Sequence, residues 1–444
     1  MNALLLLAFV VCALQSYATP SPVARPAGDT RDASDKVVVA HFMVGNSNPY
    51  TVADWTNDIT LASSKGIDGF ALNVGSDSWQ PTQVANAYAA AKSFGTNFKL
   101  FVSLDMSSLP CTAAGDTATV QNYITTYSSH PNQLLYDSKM VLSTFAGESC
   151  TFGQGSLNDA WTTAVKASSL PAVYFIPSFF VDPATFSGLT VMDGAFNWNG
   201  GWPMTDADVS FDTDTNYINN LGGRSYIAPV SPWFFTHYGP DTYNKNWIYR
   251  SDDWLLAERW ELLINNRDSI PFVEIITWND YGESHYVGPI EGDQPNSQAW
   301  VDGFDHQGWL DLIAYYITAY KTGSYPAITT DRTFLWSRLY PEAATAPDSI
   351  GPPTDAAWES DTLWAVTLLT SPATVTLACG SSTNSTLIPA GLTKLSLPLS
   401  TDCSVTSTIS RDGSSPVTFA PEGFTFSTSP PSYNFNAFVA ASPA

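Results

Sequence analysis

The sequence predicts an α/β fold, a (β/α)8 TIM barrel followed by a C-terminal all-β sandwich domain. Three observations lead there. Between residues 37 and 340, apolar, β-branched or aromatic runs alternate with longer mixed stretches of helical period. Eight such runs follow one another, as a closed barrel requires. Beyond them a Pro- and Ala-rich connection leads into short alternating segments with no helical pattern.

The chain opens with "MNALLLLAFVVCALQSYATP", an apolar run ended by small residues. It reads as a signal peptide over residues 1–20 and falls short of the roughly 20 apolar residues of a membrane span. Residues 21–36 follow as an N-terminal segment. The strand runs of the barrel, residues 37–340, are "KVVVAHFMV", "GIDGFALNV", "FKLFVSLDM", "KMVLSTFAG", "AVYFIPSFF", "GAFNWNG", "SYIAPVSPWFF" and "PFVEIITW". Helices are expected from "VADWTNDITLASSKG", "QVANAYAAAKSFG" and "DDWLLAERWELLINNR", the last with an apolar stripe of Trp254, Leu255, Ala257, Trp260, Leu262 and Leu263. A closing helix, "HQGWLDLIAYYITAYKTG", stops at Gly323. The rival, an open doubly wound sheet, often has a Gly-rich phosphate turn after its first strand, and "HFMVGNSNPY" offers none.

Residues 341–357 read as a linker and 358–444 as the β-sandwich accessory domain, with segments such as "TLWAVTLLTSPATVTLACG" and "CSVTSTISRDG". Because "SIGPPT" is too short and stiff for a long tether, the sandwich is expected to pack on the barrel.

The net charge of −23 argues against nucleic acid, whose phosphates need Lys and Arg, and against an anionic membrane surface. With 15 Trp, 20 Tyr and 24 Phe but only 13% charged residues, the chain suits a neutral ligand such as a sugar. A soluble, secreted, extracellular monomer is expected. Once Cys12 leaves with the signal, Cys111, Cys150, Cys379 and Cys403 remain, an even number for an oxidising compartment. Three pairings exist, and proximity along the chain favours Cys111 with Cys150 and Cys379 with Cys403. No Cys-x-x-Cys or EF-hand spacing points to a metal, and no cofactor is expected. Asn384, in "NST", is the only glycosylation sequon.

In a (β/α)8 barrel the chemistry lies at the carboxyl ends of the strands. Those ends carry His41, Asn46, Asn73, Asp105, Glu148, Asn197, Trp198, Trp202, Trp233, His237 and Tyr238. Each has a plainer reading. His41 could be a hydrogen-bonded core histidine, Asn73 and Asp105 could bond strand-end amides, and a single tryptophan is more often core than platform. Glu148 reads as a solvated loop residue, and Asp252, Asp253 and Glu258 as helix-start charges. Glu274, inside the eighth strand with the inward parity of Asp280, reads as structural and needs a partner.

"TWNDYGESHY", residues 277–286, is less easily explained that way. It sets Asp280 and Glu283 among Trp278, Asn279, Tyr281, His285 and Tyr286 at the end of a buried strand. Residues three apart on a strand face opposite sides, so both acids reach the barrel mouth only if the chain turns at Tyr281–Gly282, a turn that Gly282 permits. Two carboxyls at one site are the minimum for glycoside hydrolysis.

"HFMVGN…YTVADWTNDITLASSKGIDGFALNVG" at 41–75, "FKLFVSLDM" at 98–106 and "EIITWNDYGESHYVGPI" at 274–290 resemble fungal glycoside hydrolase family 71, the α-1,3-glucanases or mutanases. The resemblance runs from about residue 37 to 340 and implies a barrel followed by a β-sandwich. It also implies inverting hydrolysis of α-1,3-glucan without a metal in the chemistry, with the catalytic acids on Asp280 and Glu283. A related endo-mannosidase family, 99, has a similar Trp-Asn-acid-x-Gly-Glu arrangement. Substrate contacts are expected from His41, Asn73, Asp105, Asn197, Trp198, Trp202, Trp233, Tyr238, Trp278, Asn279, Tyr281, His285 and Tyr286. Glu283 is expected to be the general acid, desolvated by Trp278, Tyr281 and Tyr286, and Asp280 the base. A glucan-binding protein without turnover, and an enzyme of other linkage specificity such as an endo-α-mannosidase or a transglycosylase, are the alternatives.

Overall fold

A computed structural model describes residues 36–95 and 98–444. The expected signal peptide, and all of the following segment except Lys36, lie outside the described residues. The eight runs form strands β1 (Val37–Met43), β2 (Gly69–Val74), β3 (Lys99–Asp105), β4 (Lys139–Phe145), β5 (Val173–Phe175), β6 (Gly194–Phe196), β7 (Ser225–Val230) and β8 (Phe272–Ile275). They pair in parallel in the order β5-β4-β3-β2-β1-β8-β7-β6. The sheet curls, and its two ends exchange backbone hydrogen bonds from Asp193 N–H to Phe175 O and from Phe196 N–H to Pro177 O.

The strands read as near-continuous apolar runs because both faces are buried. Val37, Val39, Ala71, Phe101, Val141, Ile227 and Phe272 fill the concave side. Their neighbours Val38, Ala40, Phe70, Leu72, Leu100, Val102, Leu142, Ala228 and Val273 meet the helices outside. The first helix, Val52–Ser64, starts in a capping box between Thr51 and Asp54. The last, Gln307–Thr322, ends at Gly323, whose φ of 79° is the left-handed conformation that closes helices. One connection departs from the pattern: between β5 and β6 there is only a 3-10 turn, Pro183–Gly188, capped by Asp182.

The all-β part begins earlier than the expected boundaries at 340 and 357. Arg332–Ser337 pairs antiparallel with Thr362–Leu369 and Phe438–Ala441, making a four-stranded sheet with Gly391–Pro398. Alternation divides its side chains. Phe334, Trp336, Val366 and Leu368 join the core of the α/β part, while Leu335, Leu363 and Ala365 join Leu377, Val405 and Phe426 of a second, five-stranded sheet. The first sheet is therefore covered on both sides, and residues 341–357 do not form a free tether. Asp348 meets His237 at 2.9 Å, and Thr354 bridges to Trp247.

Asp252 is not a helix-start charge. It is a buried carboxylate receiving Arg338 Nε at 2.8 Å and Trp364 Nε1 at 2.6 Å, so it joins the two parts instead of facing water at a helix start. Glu258 stands in the first turn of the helix Leu255–Asn265, as expected, and also meets Lys394 of the four-stranded sheet. The disulfides are Cys111–Cys150 and Cys379–Cys403, as proximity favours. Asn384 lies on Ser382–Ile388, where its amide donates to Ser396 O. No helix among the described residues is long and apolar enough to cross a membrane.

Candidate active site

The acids come together because the chain after β8 closes into a loop. Thr277 N–H donates to His285 O at 2.8 Å, and Val287 N–H returns to Thr277 O at 3.0 Å. At the tip, Asp280 N–H donates to Thr277 Oγ1 at 2.8 Å and Glu283 N–H to Asp280 Oδ1 at 3.3 Å. The residue with left-handed backbone is Ser284, at φ 61°, and not Gly282. Gly282 is required for another reason: a Cβ there would lie 2.4 Å from the Tyr238 hydroxyl. That hydroxyl is fixed by its bond to Pro295 O.

Both carboxyl groups open into a cleft of about 340 Å³ at the carboxyl end of the sheet. Its lining brings together His41, Asn46, Asn73, Asp105, Trp198, Tyr238, Asp280 and Glu283, with Met43, Phe145, Tyr243 and Lys245 in addition. Asp105 is turned by its bonds from Ser107 N–H and Oγ. Sequence reasoning did not single out Lys245. It lies between the strands of a short antiparallel pair, Phe235–His237 and Asn246–Ile248, directly before the second, and nothing in "YNKNW" marks it beyond being a cation in an acidic chain.

Other expected ligand contacts lie outside the cleft lining. Trp233 is buried between the two parts of the protein, its indole N–H on Phe435 O. Trp202 donates to Trp233 O and lies against the His285 ring. Asn197 bonds the Tyr226 hydroxyl. Asn279 clamps β1 to the loop, accepting from Met43 N–H at 2.7 Å and donating to Met43 O. Trp278 is fully buried against Phe70; Tyr281 donates to Pro289 and Glu291 carbonyls; Tyr286 stacks on His306 at 4.0 Å. These three rings hold the loop from below and do not wall off Glu283.

What Glu283 meets is polar. His285 Nε2 is 3.1 Å from Glu283 Oε2, and Lys245 Nζ is 3.4 Å from Oε1. The His285 ring is itself seated by Thr277 Oγ1, 3.2 Å from Nδ1. Burial alone would raise the pKa of Glu283, but the His285 bond and the neighbouring Lys245 ammonium help outweigh it, and the carboxyl is held below its ordinary value. Asp280 goes the other way: burial first, then the negative charge of Glu283, push it up to about 6. Asp280 is therefore the member of the pair with the higher proton affinity, whereas the sequence led to the expectation of a raised value at Glu283. One ligand atom each from Asp280, Glu283 and His285 lie within 4.8 Å of one another, a set that could also hold a cation, although Lys245 already supplies positive charge beside it.

Two carboxyl groups of unequal proton affinity, in a ring-lined cleft at the carboxyl end of a curled parallel sheet, meet the minimum requirement of a glycoside hydrolase. The particular family is then plain: the model of Glycosyl hydrolase family 71 matches residues 34–444, and the chain belongs to it. The chain is 42% identical over 414 residues to a glucan endo-1,3-alpha-glucosidase of Schizosaccharomyces pombe, covering 91% of this chain and 94% of that one. It is 34% identical over 451 residues to a mutanase of Penicillium rubens, covering 99% and 94%. Among solved structures, the GH99 endo-alpha-mannosidase of Bacteroides thetaiotaomicron aligns at 11% identity with a TM-score of 0.49, over 64% of this chain and 97% of that one, too loosely to bear on chemistry.

Proposed function

We propose that the protein is a secreted, endo-acting α-1,3-glucanase, working as a monomer, in which Asp280 donates a proton and Glu283 activates water. The supporting observation is the acid pair itself, split in proton affinity, in a chain 42% identical to a glucan endo-1,3-alpha-glucosidase. The curled sheet is read as a closed (β/α)8 barrel and the two antiparallel sheets, which share a core, as a sandwich. Secretion is supported by the leading apolar run and the two disulfides.

Asp280 gives its proton to the glycosidic oxygen as the C1–O bond breaks. Glu283 takes a proton from water whose oxygen attacks C1 from the opposite face, so one glycosidic bond and one water become a new reducing end and a new hydroxyl. Exchange with solvent then returns the proton to Asp280. Inversion ordinarily needs carboxyl groups about 6.5–9.5 Å apart, with room for that water. In the free protein one oxygen of each lies within 4.8 Å of the other, so this reading requires the two groups to stand further apart in the glucan complex.

The test is incubation with insoluble α-1,3-glucan, α-1,4-glucan and β-1,3-glucan. Oligosaccharides of mixed length from the α-1,3-linked polymer are expected, with the β-anomer appearing first by NMR. Products from the β-1,3-linked polymer alone would sink the linkage, and an α-anomer appearing first would sink inversion.

A further inference from the structure

His41 and Glu274 form a buried pair beneath the acids that the chemistry above does not use. His41 Nδ1 lies 2.7 Å from Glu274 Oε1, and each side chain is 1% exposed. His41 lines the cleft, its ring edge-on to Trp198 at 4.8 Å, while Nε2 is buried and has no hydrogen-bond partner among the described residues. The second oxygen of Glu274 is likewise without one. A buried polar atom without a partner costs stability unless something else satisfies it, and for an atom at the wall of a cleft that something is ligand.

The polarity of Nε2 follows from charge. Among the described residues Glu274 forms an ion-pair contact with His41 alone, so a lone carboxylate there would be a buried uncompensated charge, near the Asp280–Glu283 carboxyl pair. Two arrangements avoid this: imidazolium with carboxylate, or neutral ring with protonated carboxyl donating to Nδ1. In both, Nε2 carries a proton. Only a neutral ring donating from Nδ1 to the uncompensated carboxylate leaves Nε2 as an acceptor.

We infer that Glu274 is a positioning residue that fixes a proton on His41 Nε2, so that the cleft floor offers an N–H donor to a hydroxyl oxygen of the bound glycosyl unit. This rests on reading the cleft as a sugar site, and the experiment separates the two ideas. Its first arm needs no substrate: ¹⁵N NMR of the full protein labelled at histidine ring nitrogens, with His41 assigned by its loss in His41→Gln. A protonated Nε2 on the acid side of neutrality is expected, and an unprotonated, pyridine-type Nε2 overturns the inference.

The second arm measures binding of an α-1,3-linked gluco-oligosaccharide to the non-hydrolysing Asp280→Asn protein. Adding His41→Leu should weaken binding at least about tenfold, as for a charge-assisted hydrogen bond. His41→Gln, which can place an amide N–H near the Nε2 position, should recover part of the loss, and His41→Asn, which is too short, should not. Thermal unfolding identifies any variant that has failed to fold. Binding in His41→Leu within twofold of the parent overturns the inference. No binding by Asp280→Asn, with the parent also inactive on α-1,3-glucan, would instead overturn the functional reading and leave the NMR result standing.

Discussion

Exchanging Asp280 for Asn removes a proton donor while keeping nearly the same shape. Asp280 sits at about 6 instead of the ordinary 3.8, so at about pH 5 roughly nine-tenths of it is protonated, against roughly a twentieth for an unperturbed carboxyl. The site thus holds roughly fifteen times more of the donor form than an exposed aspartate would. A positioned general acid typically contributes about 10²–10⁴-fold, so Asp280→Asn should lower turnover of α-1,3-glucan by that factor. On an aryl α-glycoside with a good leaving group, which hardly needs a donor, the variant should regain most of its rate, and the loss of activity above about pH 6 should disappear with it. Glu283→Gln should lose a similar factor on the polymer and regain little, because water still has to be activated. Recovery in Glu283→Gln in place of Asp280→Asn would refute the assignment and restore the order expected from the sequence. Near-normal activity in both would place the catalytic acids elsewhere, with Asp105 of the same cleft next to be tested.

The wild-type pH profile should be a bell on the acid side of neutrality. Its upper limb should fall near 6 as Asp280 ionises, and its lower limb should lie below the ordinary glutamate range as Glu283 protonates. Lys245→Met removes a cation that favours the ionised form of both Glu283 and Asp280, so the lower limb should move to higher pH with the upper limb rising too; an unmoved lower limb would mean that Lys245 does not act on Glu283. Arg259 is fully buried on Asp214, with contacts of 2.6 and 2.7 Å, and Arg259→Leu would strand that carboxylate. A loss of about 3–5 kcal/mol is expected in denaturant unfolding, and a change under about 1 kcal/mol would show that the pair contributes little. Truncation before Arg332 removes Phe435 and Trp336 from the main core and uncovers Trp233 and Asp252, so insoluble or thermally weakened protein should result. A stable, fully active truncated chain would overturn the packing argument.

Much of the α/β part was legible because local chemistry agreed with the tertiary arrangement. Buried parallel strands must be continuously apolar, and the helix ends carry their own signals in Thr51, Asp54 and Gly323. The boundary of the all-β part was not legible: "RTFLWS" has the texture of the preceding helix-and-strand region, since its sheet is buried on both faces and loses the alternation that marks a half-exposed strand. For the same reason Asp252 looked like an ordinary helix-start charge, when its partners, Arg338 and Trp364, lie some 90 to 110 residues further along the chain.

By itself the sequence determined the run of strands and helices, the family and the presence of two acids after the eighth strand. These depend on periodicity and on a short contiguous block, both written into neighbouring residues. Only the tertiary structure decided which aromatic residues face the cleft and which hold the loop from beneath, because that depends on how a loop closes and not on its composition. It also sets the two carboxyl groups apart in proton affinity, Asp280 raised and Glu283 lowered. A carboxyl group's proton affinity depends on charges within a few ångströms, and Lys245 comes from a separate loop, so no reading of "WNDYGESHY" alone could place it beside Glu283.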